Sequence, residues 1–183
     1  MNIINIAVLE GNLKVKLFPL LLNKVFHVTN GEAFKKIKEC GFINSNKENT
    51  YSFVFPQSDK NFGARNGMVC LIDLRGKNST EAENYAGDGY YFLRPKSDWK
   101  DVVFLIVDTT FHKDLKLQAR FNQPLVGENY IPMEEICIGT YVPEIECWYP
   151  EKITLNKISD ALIVNVVEEK ENCRAKLLQD LYF

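Results

Sequence analysis

Three short runs in this chain carry side chains whose types and spacing suit polar chemistry. His27-Val28-Thr29 stands where an apolar run ends. A histidine held there can donate a fixed hydrogen bond to a sugar hydroxyl, and the adjacent backbone N–H and C=O can hold an amide. In Glu144-Ile145-Glu146 the carboxylates are two residues apart, so on a strand both face one side. Such a pair can stabilise a developing cation or accept a proton. Their neighbours are apolar and aromatic: Tyr141, Val142, Ile145, Cys147, Trp148 and Tyr149. Gly87-Asp88-Gly89-Tyr90-Tyr91-Phe92 pairs a tight turn with flat aromatic walls suited to a planar ligand. Arg65, between Gly63 and Gly67, and Arg94, before Pro95, offer guanidinium forks matched to phosphate oxygens. Each run also has a purely structural reading: a core histidine, a solvated strand face, an ordinary hairpin.

The elements that must position these residues are mostly strands. Val25-Phe26-His27-Val28 reads as a buried strand, followed by a helix over 31–40 with Thr29 or Asn30 as N-cap and Gly41 just past its end. Ala33, Phe34 and Ile37 form its apolar face. Strands are expected at Tyr51–Phe55, Met68–Leu74, Tyr90–Leu93 and, as a central strand buried on both faces, Val102–Val107. Residues 135–149 read as two strands broken at Pro143. Leu155–Ala161 reads as a helical turn, Leu162–Val167 as a last strand, and Lys170–Leu178 as a terminal helix. Pro19 argues against one continuous helix over 12–28. Strands outnumber helices and do not alternate with them, which predicts an α+β domain rather than a doubly wound sheet.

At 183 residues the chain is large enough for one domain with its own core, and the whole span 1–183 is expected to form it. The five cysteines are odd in number and widely spaced, without a C-x-x-C pair, and only two histidines are present. That argues against structural zinc and a disulfide framework. Asp73 and Asp108 end apolar strands, but no partner spacing marks a metal site. The N-terminal residues lack the basic region of a secretory signal and no stretch is long and apolar enough to span a membrane, so a cytoplasmic location is expected. Residues 1–120 carry 17 Lys/Arg against 13 Asp/Glu, and residues 121–183 carry 5 against 11. This excludes a general nucleic-acid binder, whose affinity rests on neutralising many phosphates, and leaves room for a local basic groove. P-loop, G-x-G-x-x-G and G-x-S-x-G motifs are absent.

In order along the chain, the early histidine, the glycine-aromatic turn and the late glutamate resemble the ADP-ribosyltransferase superfamily, whose members split NAD at the nicotinamide bond. Phe26 to Phe42 is similar to the opening strand and helix of DarT-type DNA-modifying toxins and of RNA 2′-phosphotransferases. Glu146 to Ile158 is similar in spacing to the DarT-type segment bearing the catalytic glutamate, with Thr154 where a proline is usual. Gly89-Tyr90-Tyr91-Phe92 is similar to the Gly-x-Tyr-Phe turn of poly(ADP-ribose) polymerases, and Ala64-Arg65-Asn66 to a short DarT-type element. The Ser-Thr-Ser motif of arginine-specific transferases and the arginine set of a 2′-phosphotransferase are both missing.

The resemblance implies an ADP-ribosyltransferase-like α+β fold: a strand-rich core of two packed sheets with few short helices. It implies NAD as substrate, no metal, and no membrane partner. The acceptor would be a macromolecule, protein or nucleic acid, with DNA or RNA possible, and a toxin role follows by analogy. Glu146 would be catalytic, with Glu144 helping to activate the acceptor. His27 and Thr29 would orient a ribose, Tyr91 would stack on nicotinamide, and Arg65 would meet the pyrophosphate. The competing expectation is a non-catalytic NAD- or ADP-ribose-binding or partner-binding module on the same fold.

Overall fold

The structure is a computed structural model that describes residues 1–46, 61–81, 93, 101–118, 130–131 and 145–167. Its elements in chain order begin with strand β1 (Asn2–Leu9), helix α1 (Leu13–Leu21), strand β2 (Val25–Thr29) and helix α2 (Gly31–Cys40). There follow β3 (Phe42–Ile43), α3 (Phe62–Arg65), β4 (Val69–Asp73), β5 (Asp101–Val107), β6 (Lys116–Gln118) and β7 (Tyr130–Ile131). The last are β8 (Glu146–Tyr149), β9 (Ile153–Thr154) and β10 (Ile158–Val167). The expected strands at Tyr51–Phe55 and Tyr90–Leu93, most of 135–149, and the terminal helix at Lys170–Leu178 lie outside the described residues, apart from the buried Leu93 and the segment 145–149.

Eight strands form one sheet in the order β1-β10-β5-β2-β4-β8-β6-β7, and β3 pairs with β9 as a separate two-stranded ribbon. The domain is thus mixed and strand-rich with few short helices. Where two packed sheets were expected, the described strands make one wide sheet and a small two-stranded ribbon. β5 sits between β10 and β2, and its run Val102–Val107 is buried throughout, as a strand covered on both faces requires. One face carries Phe26, Ile72, Phe104 and Leu162 under α1; the other carries Val25, Leu71, Leu105 and Cys147 under Phe34 of α2 and Ile43 and Ile153 of the ribbon.

Both ends of α2 follow from sequence. The Asn30 side chain accepts a hydrogen bond from Ala33 N–H at 2.7 Å, and Gly41 closes the helix in the left-handed region at φ 82°. The first N–H of the helix, on Gly31, donates to Asp101 Oδ1 at 3.1 Å. A Cβ at Gly31 would overlap that carboxylate, so this contact between Asp101 and the start of α2 needs glycine at residue 31 or a shift of the Asp101 side chain.

Residues 12–28 are not one helix, as expected, but the break falls after Leu21, before β2, and α1 itself runs through Pro19 in its last turns. An interior proline costs about 3 kcal/mol, whereas burying Leu13, Leu17, Phe18 and Leu21 contributes about 1.5–3 kcal/mol each, so packing wins. The helical turn expected at 155–161 is a single 3₁₀ turn at Leu155–Lys157, which leads directly into β10 four residues earlier than expected. β1 carries no alternation to mark it, because Asn2 to Asn5 are exposed on both faces at the sheet edge, paired in parallel to β10.

Candidate functional site

β2 and β8, the early histidine strand and the late glutamate strand, are separated in the sheet by β4 alone. The β2–β4 ladder is short: it joins Val25 to Asp73 and Phe26 to Ile72. Beyond it the Cys70 carbonyl of β4 has no β2 backbone donor in register, and a half-buried carbonyl needs one. His27 supplies it, with Nδ1 2.9 Å from Cys70 O. A carbonyl only accepts, so Nδ1 carries the proton and, in the neutral ring, Nε2 is left as an acceptor. Burial holds the imidazole pKa below its usual range, opposed in part by the bond to Cys70. A neutral His27 therefore offers Nε2 as an acceptor, where a donor was expected from sequence.

Glu146 begins β8 opposite Ile72 and is 8% exposed, one of two buried polar residues among those described; the other is Thr29. Its Oε2 accepts a 2.7 Å hydrogen bond from Asn61 Nδ2. Asn61 precedes α3 as its N-cap, with Oδ1 accepting from Gly63 N–H at 2.8 Å. The same oxygen faces the Cys70 thiol at 3.2 Å and Trp148 Nε1 at 3.4 Å. Gly63 and Trp148 present N–H groups that can only donate, which fixes the amide with its oxygen toward them and its NH₂ toward Glu146. Burial, with the charge of Glu146 adding, pushes the Cys70 thiol far up, so it stays protonated and donates.

Through Cys70, whose carbonyl meets His27 and whose thiol meets Asn61, these contacts relate His27 to Asn61 and Glu146 across β2, β4, the start of α3 and β8. The two end residues do not share a face. By strand alternation His27 starts on the side of Val25 and Leu105, whereas Glu146 lies in the row Phe26–Ile72–Glu146. What links them is Cys70, past the end of the β2–β4 ladder, with His27 on its carbonyl and Asn61 on its thiol. α3 is seated there by Phe62, edge-on to Trp148 at 5.1 Å between centroids, and by Gly63, where a Cβ would overlap the Trp148 indole.

Of the other expected site residues, Thr29 ends β2, buried beside the N-cap of α2. Arg65 closes α3 on its exposed side. Tyr91, Glu144 and Arg94 lie outside the described residues. His112, in the 3₁₀ segment after β5, is half-buried with Nε2 3.3 Å from Val107 O. Asp73 is clasped by Arg75, at 2.9 Å from Nε and 2.7 Å from Nη2, and Asp108 caps the turn at Thr110. No group of three His, Cys, Asp or Glu among the described residues is placed to hold a metal ion. No helix among them is long and apolar enough to cross a membrane. Asn61, Cys70 and Trp148 were not singled out from sequence as site residues; Asn61 had a signal, an asparagine in N-cap position before a glycine-bearing turn. Comparison with family models, with curated proteins and with solved structures finds no match.

Proposed function

We propose that this chain is an NAD-dependent ADP-ribosyltransferase that passes ADP-ribose to a macromolecular acceptor, protein or nucleic acid, and releases nicotinamide. One observation carries the reading. The early histidine and the late glutamate, far apart in sequence, both lead to Cys70 of β4, His27 at its carbonyl and Glu146 through Asn61 at its thiol, and Glu146 is buried and held by a donor.

Breaking the bond from ribose C1′ to the nicotinamide nitrogen sends its electron pair to nicotinamide and leaves positive charge on the sugar. The Glu146 carboxylate, meeting a ribose hydroxyl, stabilises that charge where it develops. A nucleophilic oxygen or nitrogen of the acceptor then bonds to C1′ and gives up its proton, a step for which Glu144 is the candidate base. Nε2 of His27 accepts from a ribose hydroxyl, Thr29 lies beside it, Arg65 is assigned to the pyrophosphate and Tyr91 to stacking on nicotinamide.

The test is nicotinamide release from NAD by the full chain, with DNA, RNA and protein acceptors offered in turn. Glu146→Gln keeps an acceptor for Asn61 and is expected to cut release by about 10²- to 10³-fold. Wild-type protein that releases no nicotinamide with any acceptor would sink the proposal. If that protein still bound NAD in a calorimeter, the non-catalytic binding module would take its place.

A further inference from the structure

We propose that Asn61 is a positioning residue for Glu146, its amide aiming the carboxylate and keeping it ionised for the sugar cation. This rests on the reading of Glu146 given above. Three features set Asn61 apart from an ordinary helix cap. An N-cap asparagine has done its capping once Oδ1 accepts from the helix, and here Oδ1 meets Gly63 N–H, the Cys70 thiol and Trp148 Nε1 together. That leaves Nδ2 pointed away from the helix, 2.7 Å from Glu146 Oε2. A neutral amide donor lowers the cost of holding a carboxylate out of water without cancelling its charge, which a lysine or arginine in its place would do. And α3 is only four residues long, held by Phe62 and Gly63 against Trp148, so its placement delivers Asn61 to β8.

Among the described residues, Cys70 of β4 and Cys147 of β8 itself are titratable groups that feel the Glu146 charge. Burial keeps both thiols protonated and hence neutral. The cation carried by α3, Arg65, is on its exposed side.

Asn61→Asp isolates the proposed role. It preserves the shape and the oxygen facing Gly63, Cys70 and Trp148, and it replaces the donor opposite Glu146 with a second carboxylate oxygen. Two carboxyl groups at that separation share one proton, so the pair ionises fully only at higher pH. The expected result is nicotinamide release at least about tenfold lower at pH 7, with the acid limb of its pH profile moved up by about one unit or more and activity recovering on the alkaline side. In substrate-free protein carrying ¹³C-labelled glutamate, the side-chain carboxyl signal of Glu146 titrates at higher pH in Asn61→Asp than in wild type. An unmoved carboxyl titration and an unmoved pH profile would overturn the inference and reduce Asn61 to a cap. Should Asn61→Asp fold poorly, the double variant Asn61→Asp/Glu146→Gln reverses the polarity of the pair, with the introduced glutamine amide donating to the introduced carboxylate. It is expected to regain the lost melting temperature and remain inactive; no regain counts against the pairing. Wild-type protein without nicotinamide release would remove the transferase reading, while the carboxyl titration would still decide whether Asn61 governs Glu146.

Discussion

His27 Nδ1 lies 2.9 Å from the carbonyl oxygen of Cys70, so a side chain of β2 takes up a β4 backbone group beyond the point where the two strands stop pairing. The ring thus closes the sheet locally and presents Nε2 as its remaining polar atom, and the two duties can be separated by mutation. His27→Asn retains a donor for Cys70 and loses the Nε2 acceptor. KM for NAD is expected to rise about tenfold, the worth of one hydrogen bond of roughly 1.4 kcal/mol, with the urea midpoint near wild type. His27→Ala loses both duties and is expected to cost about 1–3 kcal/mol of stability as well. Equal KM values for the two variants and wild type would remove His27 from the site.

The depressed imidazole pKa values fix how stability responds to acid. For His27 and His112 burial is the largest cause, so both are less easily protonated in the folded chain than the ordinary value near 6.5. Proton uptake then favours the unfolded chain: their contribution is complete above about pH 6.5 and lost as pH falls toward the folded values. The urea midpoint is expected to be level from pH 8 to 7 and to decline by pH 5, with a smaller decline in His27→Asn. A midpoint that rises on acidification through this window would contradict the assignment. Further loss below about pH 4 is expected from Asp160, whose carboxyl is held low first by the Asn2 amide and then by the Ser159 hydroxyl, and from Asp108, held low by Thr110.

Gly63 is where α3 lies flat on β8, since a Cβ there would overlap Trp148 and stand 2.9 Å from Cys70 Sγ. Gly63→Ala is expected to cost about 1–3 kcal/mol by overpacking, and to reduce nicotinamide release further than that loss alone explains, because Asn61 is displaced from Glu146. Denaturant unfolding and single-turnover kinetics on the same preparation separate the two effects. Wild-type kinetics in a destabilised Gly63→Ala protein would uncouple α3 from the site.

The Gly31–Asp101 contact predicts a non-additive pair. Gly31→Ala drives a methyl into the carboxylate, and Asp101→Ala leaves the first N–H of α2 without its acceptor; each is expected to cost about 1–3 kcal/mol. In the double variant the clash is gone, so its cost should fall below the sum by more than about 0.5 kcal/mol. Additivity in a double-mutant cycle of urea unfolding would show that the overlap is relieved elsewhere.

α2 and its caps were readable residue by residue because they rest on local rules, an asparagine oxygen for an orphan N–H and a glycine for positive φ. β5 was readable because the unbroken burial of Val102–Val107 leaves one place for a strand to lie. β1 was not: its first four residues are exposed on both faces and leave no period to detect, and its partner β10 is remote in sequence. Pro19 indicated that 12–28 is not one helix but not where the break falls, because the four side chains that α1 buries carry the helix past it. In the site, His27 and Glu146 were legible by residue type and order. Asn61 was not, since its role depends on where α3 docks, and that is decided by Phe62, Gly63 and Trp148 together.

The register of β1 carries a consequence for how the chain reaches this fold. Asn2 sits opposite Asp160 and Leu9 opposite Val167, so among the described residues the first strand pairs only with the last. During synthesis the Ile-rich β1 must wait unpaired for nearly the whole domain to follow it, and β10 in turn pairs with β5. Closing so long a loop makes this corner of the sheet a late event in folding. Until it closes, Ile3, Ile4 and Ile6 form an uncharged, strand-prone stretch open to stray partners.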